Sequence, residues 1–188
     1  MDKEKRSKII WGITGSGYLI KESIDLMKEL QKKYPIDFTV ILSTQGVVVA
    51  KWYRQWLYLK ETIQKVQVEK TPNNPFLAGP LQTGEYKMLI VCPLSANSAA
   101  KIAYGIADTL ITNCVAQTIK GGVLVYLNPS DQEDKPIETY RPSGEKLILK
   151  IREVELENIE RLKKMDGITL FSDLNEIKRI ILAQIESD

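Results

Sequence analysis

Residues 88–112 read Met88-Leu89-Ile90-Val91-Cys92-Pro93-Leu94-Ser95-Ala96-Asn97-Ser98-Ala99-Ala100-Lys101-Ile102-Ala103-Tyr104-Gly105-Ile106-Ala107-Asp108-Thr109-Leu110-Ile111-Thr112. Met88-Leu89-Ile90-Val91 is an unbroken apolar run, the pattern of a strand buried on both faces of a parallel sheet. Pro93 has no N–H to donate, so the ladder is expected to stop there. Ser95, Asn97 and Ser98 follow, immediately before a helical run. Small hydroxyl and amide residues between a strand end and a helix start mark the edge where α/β sheets bind ligands. Short side chains let a flat ligand approach the backbone, and the first helical N–H groups are free to bond it.

The same pattern recurs on either side. Lys8-Ile9-Ile10-Trp11-Gly12-Ile13 reads as a first strand, followed by Thr14-Gly15-Ser16-Gly17 and a helix over 20–33. Strand, glycine–hydroxyl turn and helix form a phosphate-binding arrangement, although an ordinary tight turn reads the same way. The glycine spacing is neither Gly-x-Gly-x-x-Gly nor a Walker loop. A second strand, 37–42, ends in Ser43-Thr44-Gln45-Gly46, and 47–59 reads as one helix carrying Trp52, Tyr53, Trp56 and Tyr58. Those aromatics suit core or interface packing, or a wall for a planar ring.

Beyond these lie a short strand at 66–69 and a turn-rich segment at 71–84. Its three prolines and two glycines exclude regular structure over most of its length, so it reads as a lid, an oligomer contact or a plain connection. Helices are expected over 99–104 and 108–120, meeting near Gly105 and ended by Gly121-Gly122. A strand at 123–127 is closed by Asn128-Pro129-Ser130-Asp131. A hairpin of 137–140 with 146–151, a helix over 153–165, a strand at 167–171 and a closing helix capped by Ser172 or Asp173 complete the chain. Repeated strand–helix units predict one α/β domain over 1–188: a doubly wound parallel sheet flanked by helices, Rossmann- or flavodoxin-like, with an inserted β-hairpin.

Composition narrows the function. Among 188 residues, 26 are basic and 24 acidic, a balance that gives no case for nucleic acid as the main partner. The charged start, Met1 to Lys8, has no long apolar stretch behind it, so neither a signal peptide nor a membrane span is expected and the protein reads as cytoplasmic. Cys92 and Cys114 sit in apolar runs as buried thiols, and two cysteines fall short of the roughly four that an iron–sulfur cluster needs. With no histidine in the chain, Ser-His-Asp and Cys-His catalysis and histidine metal sites are excluded. No metal is expected, and the catalytic residues remain unassigned. Chemistry then falls to other groups or to a cofactor.

All strand C-termini of a parallel sheet lie on one edge, so the loops at 14–17, 43–46 and 95–98 can converge on one crevice. The first suits a phosphate and the others a polar ring. No acidic residue is placed to hold an adenosine ribose, which favours a mononucleotide over NAD; flavin mononucleotide (FMN) fits best.

Residues 92–112 resemble the signature of the homo-oligomeric flavin-containing cysteine decarboxylase superfamily. The matches are Pro93, Ser95-Ala96-Asn97-Ser98, Ala100-Lys101-Ile102-Ala103, Gly105-Ile106-Ala107-Asp108 and Leu110-Ile111-Thr112, with Ser98 and Thr109 as mild departures. Trp11-Gly12-Ile13-Thr14-Gly15, Asn74-Pro75-Phe76-Leu77-Ala78-Gly79 and Asn128-Pro129-Ser130-Asp131 resemble its archaeal flavoprotein branch. That branch holds archaeoflavoproteins reduced by ferredoxin and acceptor-dependent dihydromethanopterin reductases. The resemblance implies noncovalent FMN near a subunit interface of a trimer-based homo-oligomer. It also implies an oxidoreductase taking electrons from ferredoxin or a similar donor and passing them to an acceptor such as a pterin. Thr14, Gly15, Ser16 and Gly17 would hold the phosphate, and Ser43 and Thr44 the ribityl chain or phosphate. Ser95, Ala96, Asn97 and Ser98 would wall the ring, with Thr112 a further contact and Lys101 either a surface lysine or a charge near the phosphate. The alternative is a non-redox flavin enzyme of the same scaffold, a flavin prenyltransferase or decarboxylase-like protein. The decarboxylases need a histidine, which this chain lacks.

Overall fold

The computed structural model describes residues 6–141 and 143–186. Met1 to Lys5 of the charged start and Pro142 of the hairpin turn lie outside the described residues. In chain order the elements are β1 (Ser7–Ile13), α1 (Ile20–Lys33), β2 (Ile36–Leu42), α2 (Thr44–Trp52), α3 (Trp56–Thr62), β3 (Lys65–Val68), α4 (Ala78–Gln82) and β4 (Met88–Leu94). They continue with α5 (Ala96–Ala103), α6 (Leu110–Lys120), β5 (Leu124–Pro129), β6 (Ile137–Tyr140), β7 (Lys146–Leu149), α7 (Glu153–Lys163), β8 (Ile168–Leu170) and α8 (Leu174–Glu186). Six strands form one sheet in the order β3-β2-β1-β4-β5-β8. Every pairing in it is parallel. β6 and β7 pair antiparallel as a separate ribbon.

Alternation along β1 sorts the core into two layers. Ile9, Trp11 and Ile13 face a cluster with Ile24, Met27 and Leu30 of α1 and Ile177 and Ile181 of α8. Ile10 faces the opposite cluster, with Leu89 and Val91 of β4 and Ile102, Ile111 and Val115 of α5 and α6. All seven residues of β4 are buried, as a central strand between two helix layers requires. Gly12 keeps that second layer thin: a Cβ there would lie 3.3 Å from Val91 and 3.5 Å from Ile111. Truncating a fully buried side chain such as Leu30 to alanine would cost about 2–5 kcal/mol.

Pro93 does not end β4. Its carbonyl accepts from the Thr14 N–H at 3.1 Å, and the Leu94 carbonyl accepts from the Ser130 N–H at 2.9 Å. Proline lacks a donor and keeps its acceptor, so the strand runs on to Leu94 with a register shift after Val91.

The segment 47–59 is two helices. At the end of α2 the Arg54 N–H donates to Lys51 O at 3.0 Å and the Gln55 N–H to Ala50 O at 2.8 Å, with Arg54 at φ 60°. That is a Schellman stop, and α3 starts beyond it. α5 and α6 end the same way with Gly105 and Gly122 in the left-handed position.

The 71–84 segment contains the five-residue α4, whose Leu81 is buried together with the preceding Leu77. Asn113 of α6 donates from Nδ2 to Pro72 O at 3.0 Å and to Asn73 Oδ1 at 2.8 Å. The segment is thus fastened to α6, leaving Phe76 exposed. Both cysteines are buried free thiols, each pushed up to about 12 by desolvation. No helix among the described residues is long and apolar enough to cross a membrane.

Candidate functional site

The sheet order places its switch point between β1 and β4, where connections leave to opposite faces and a crevice opens at the strand C-termini. Two of the small-residue loops meet there. Thr14 is fully buried and joins them: its Oγ1 donates to Pro93 O at 2.9 Å and accepts from the Ser95 N–H at 2.7 Å. Thr14 therefore positions the crevice and does not line it.

A cleft of about 410 Å³ opens beside this joint. Gly15, Ser16 and Tyr18 form one wall, and Ser95, Ala96 and Asn97 another. Ser130 and Asp131 after β5, Arg152 before α7, and Ile137 and Leu149 of the hairpin complete it.

The turn residues of this edge, 15–17 and 95–97, are half-buried or exposed, and several of their N–H groups are open. Ser95 caps α5, its Oγ accepting from the Ser98 N–H at 3.4 Å and lying 3.2 Å from Ser98 Oγ. The N–H groups of Gly15, Gly17, Ala96 and Asn97 have no acceptor among the described residues. The start of α1 has Leu19 at φ 55° and no side-chain cap. Open N–H groups at the start of α5 and in the turn before α1, with short side chains around them, suit an anionic, flat ligand.

The third loop is different. Ser43 caps α2 by accepting from the Gly46 N–H at 3.0 Å. Thr44 donates its N–H to Glu69 Oε2 at 2.9 Å, and its hydroxyl lies 3.3 Å from the same oxygen. Glu69 Oε1 accepts from the Leu110 N–H at 2.9 Å, so one carboxylate closes the starts of α2 and α6 together. Thr112 lies inside α6 in a capping box with Thr109, their hydroxyls 2.8 Å apart. Loop 43–46 still touches the first loop, since a Cβ on Gly15 would lie 3.0 Å from Gln45 Cβ.

Of the residues singled out in the sequence, Gly15, Ser16, Ser95, Ala96 and Asn97 line the cleft together. Gly17 lies against the Tyr53 ring, where a Cβ would overlap it at 2.4 Å. Ser43, Thr44, Ser98 and Thr112 are engaged in caps. Lys101 holds both oxygens of Asp108 at 2.8 Å, fastening the turn after α5. The sequence reading passed over Tyr18, Ser130, Asp131 and Arg152 as site residues. Asn128-Pro129-Ser130-Asp131 carried the signal, being a fourth small polar strand end beside β4.

Three cleft groups titrate. Burial pushes the Asp131 carboxyl above its ordinary value, against the Ser130 hydrogen bond and the Arg152 charge. Burial also raises the Tyr18 phenol. Arg152 is held by Glu155, Nε to Oε1 at 2.8 Å. Among the described residues no group of three or more His, Cys, Asp or Glu could hold a metal ion. A smaller cavity of about 280 Å³ shares Tyr18, Ser130 and Ile137 with the cleft.

A parallel sheet of this order, with free N–H groups gathered at its switch point, defines the α/β class that takes nucleotide-like ligands at the strand C-termini. Residues 1–186 match the Flavoprotein family, and the chain belongs to it. It is 46% identical over 179 residues to an uncharacterized protein of Methanocaldococcus jannaschii, covering 95% of this chain and 96% of that one. It is 34% identical over 145 residues to the dihydromethanopterin reductase (acceptor) of the same organism, covering 72% of this chain and 58% of that longer protein. The crystal structure of Burkholderia xenovorans DmrB in complex with FMN, described as a cubic protein cage for redox transfer, superposes with a TM-score of 0.83. It is 30% identical, and 98% of each chain is covered.

Proposed function

We propose that the chain binds FMN in the cleft between the β1 and β4 ends. As an oxidoreductase it would accept electrons from ferredoxin or a similar one-electron donor and pass them to an acceptor of the dihydromethanopterin type. The observation that carries the reading is the set of open N–H groups on Gly15, Ala96 and Asn97 along a cleft, with that of Gly17 in the adjoining turn. These residues are half-buried or exposed, so their N–H groups are open to the cleft, and a phosphate and a ring carbonyl would satisfy them. Family membership, the FMN complex of DmrB and the named reductase among the relatives support the same reading.

In this reading the 15–17 turn and the uncapped start of α1 hold the phosphate, where the helix dipole favours an anion. Thr14 fixes the distance between that turn and Ser95. Ala96, Asn97 and the Asn97 amide face the ring edge, and Ile137 and Leu149 offer apolar cover. Bound FMN supplies the electron and hydride chemistry, which no side chain of this chain can perform. Exposed Val48, Trp52 and Leu57 on α2 and α3 provide apolar surface for a trimer-based homo-oligomer.

The purified protein should show an oxidised-flavin spectrum or acquire one on adding FMN. A colourless protein that takes up no FMN would contradict the reading. Ferredoxin should then reduce the bound flavin rapidly, and fast reduction by NADH alone would contradict the donor assignment.

A further inference from the structure

The cleft contains a carboxylic acid for which FMN binding has no evident use. We propose that Asp131, set in the same cleft as Ser95 and Asn97, is the catalytic acid for an acceptor that carries a C=N bond. The inference rests on the FMN reading and deepens it by naming how the acceptor is protonated. Reduction of C=N needs a hydride at carbon and a proton at nitrogen. The hydride comes from the reduced cofactor. The proton comes from Asp131: its O–H bond breaks, an N–H bond forms on the acceptor, and the carboxylate recovers a proton from water.

Elimination leaves Asp131 in that role. The chain has no histidine. The titratable groups lining the cleft are Tyr18, Asp131 and Arg152. A guanidinium does not give up its proton in this pH range, and Arg152 is engaged by Glu155 through both its side chain and its backbone N–H, the latter at 2.7 Å. Burial makes the Tyr18 phenol a weaker acid still. Asp131 has the opposite setting. Burial and the nearby Glu155 carboxylate favour its protonated form, while Ser130 and Arg152 limit the effect. Covering the cleft with a ligand removes more water and strengthens the same trend.

The test compares wild type with Asp131→Asn, which keeps the shape and loses the acid. The carboxyl of Asp131 in the apoprotein, followed by carbon NMR, should titrate above the ordinary aspartate value of about 3.9; titration at or below it would overturn the assignment. Relative to its rate with ferricyanide, which needs no proton, the FMN-loaded variant should reduce a 7,8-dihydropterin about 100-fold more slowly than wild type does. The wild-type dihydropterin rate should fall as pH rises through the carboxyl pKa, and Asp131→Asn should lack that limb. Equal dihydropterin rates and pH profiles in two FMN-loaded proteins would overturn the role of Asp131 alone. Failure of the wild type to bind FMN would overturn the cofactor reading and the acid with it.

Discussion

The two halves of the sheet's C-terminal edge use the same residue types in opposite ways. At the ends of β2 and β3, Ser43, Thr44, Thr109 and Thr112 bond to neighbouring backbone, to one another and to Glu69. At the ends of β1 and β4, Thr14 and Ser95 bond to each other's loops, and the N–H groups of Gly15, Gly17, Ala96 and Asn97 have no acceptor among the described residues. A small hydroxyl at a helix start is thus either a cap or part of a ligand cradle. The deciding factor is whether an acceptor from elsewhere in the fold arrives first. Glu69 does so for α2 and α6. At α5 the one internal cap, Ser95, serves Ser98 and leaves the two earlier N–H groups open.

The contrast can be broken most severely on its closed side. Gly46→Ala would place a Cβ 2.4 Å from the Ile13 carbonyl oxygen, backbone against backbone. It should cost about 2–3 kcal/mol and lower the melting temperature by roughly 5–10 °C, as read by calorimetry. A change within error would mean that this loop is looser than its packing indicates.

On the open side, Ser16→Ala with Asn97→Ala should leave the melting temperature of the apoprotein nearly unchanged and weaken FMN binding by about 10- to 100-fold. Flavin fluorescence titration measures it. Unchanged affinity would move the ligand out of the cleft. The mildest change sharpens the boundary between the halves. Thr109→Ala removes a cap and should lower stability by about 1 kcal/mol in denaturant unfolding, with FMN affinity unaltered.

Much of the fold was legible because long apolar and helical periods report burial directly. The bounds of α1 follow from its pattern, and all six strands of the main sheet were expected in the order found along the chain. The misreadings were local. Gly105 and Gly122 announced the stops of α5 and α6, whereas Arg54 makes the same stop at the end of α2 with nothing in its side chain to show it. Pro93 was read for its missing donor, and its carbonyl proved to be the acceptor that joins β4 to Thr14. At the site, the residue types were visible and their engagement was not. Thr44 and Thr112 look like Ser16 and Ser95 until Glu69 and Thr109 are placed in space. Asp131 follows β5, the neighbour of β4, whereas Arg152 joins the cleft only because the chain beyond the hairpin returns to the end of β5.

Hydrogen–deuterium exchange of the apoprotein, with and without FMN, reads this division most directly, since it reports on the N–H groups themselves. FMN should protect the amides of Gly15, Gly17, Ala96 and Asn97, which have no acceptor among the described residues, and leave those of Thr44, Gly46, Leu110 and Thr112 as they were. Protection appearing at 44–46 and 110–112 in place of the first set, or nowhere, would contradict the account.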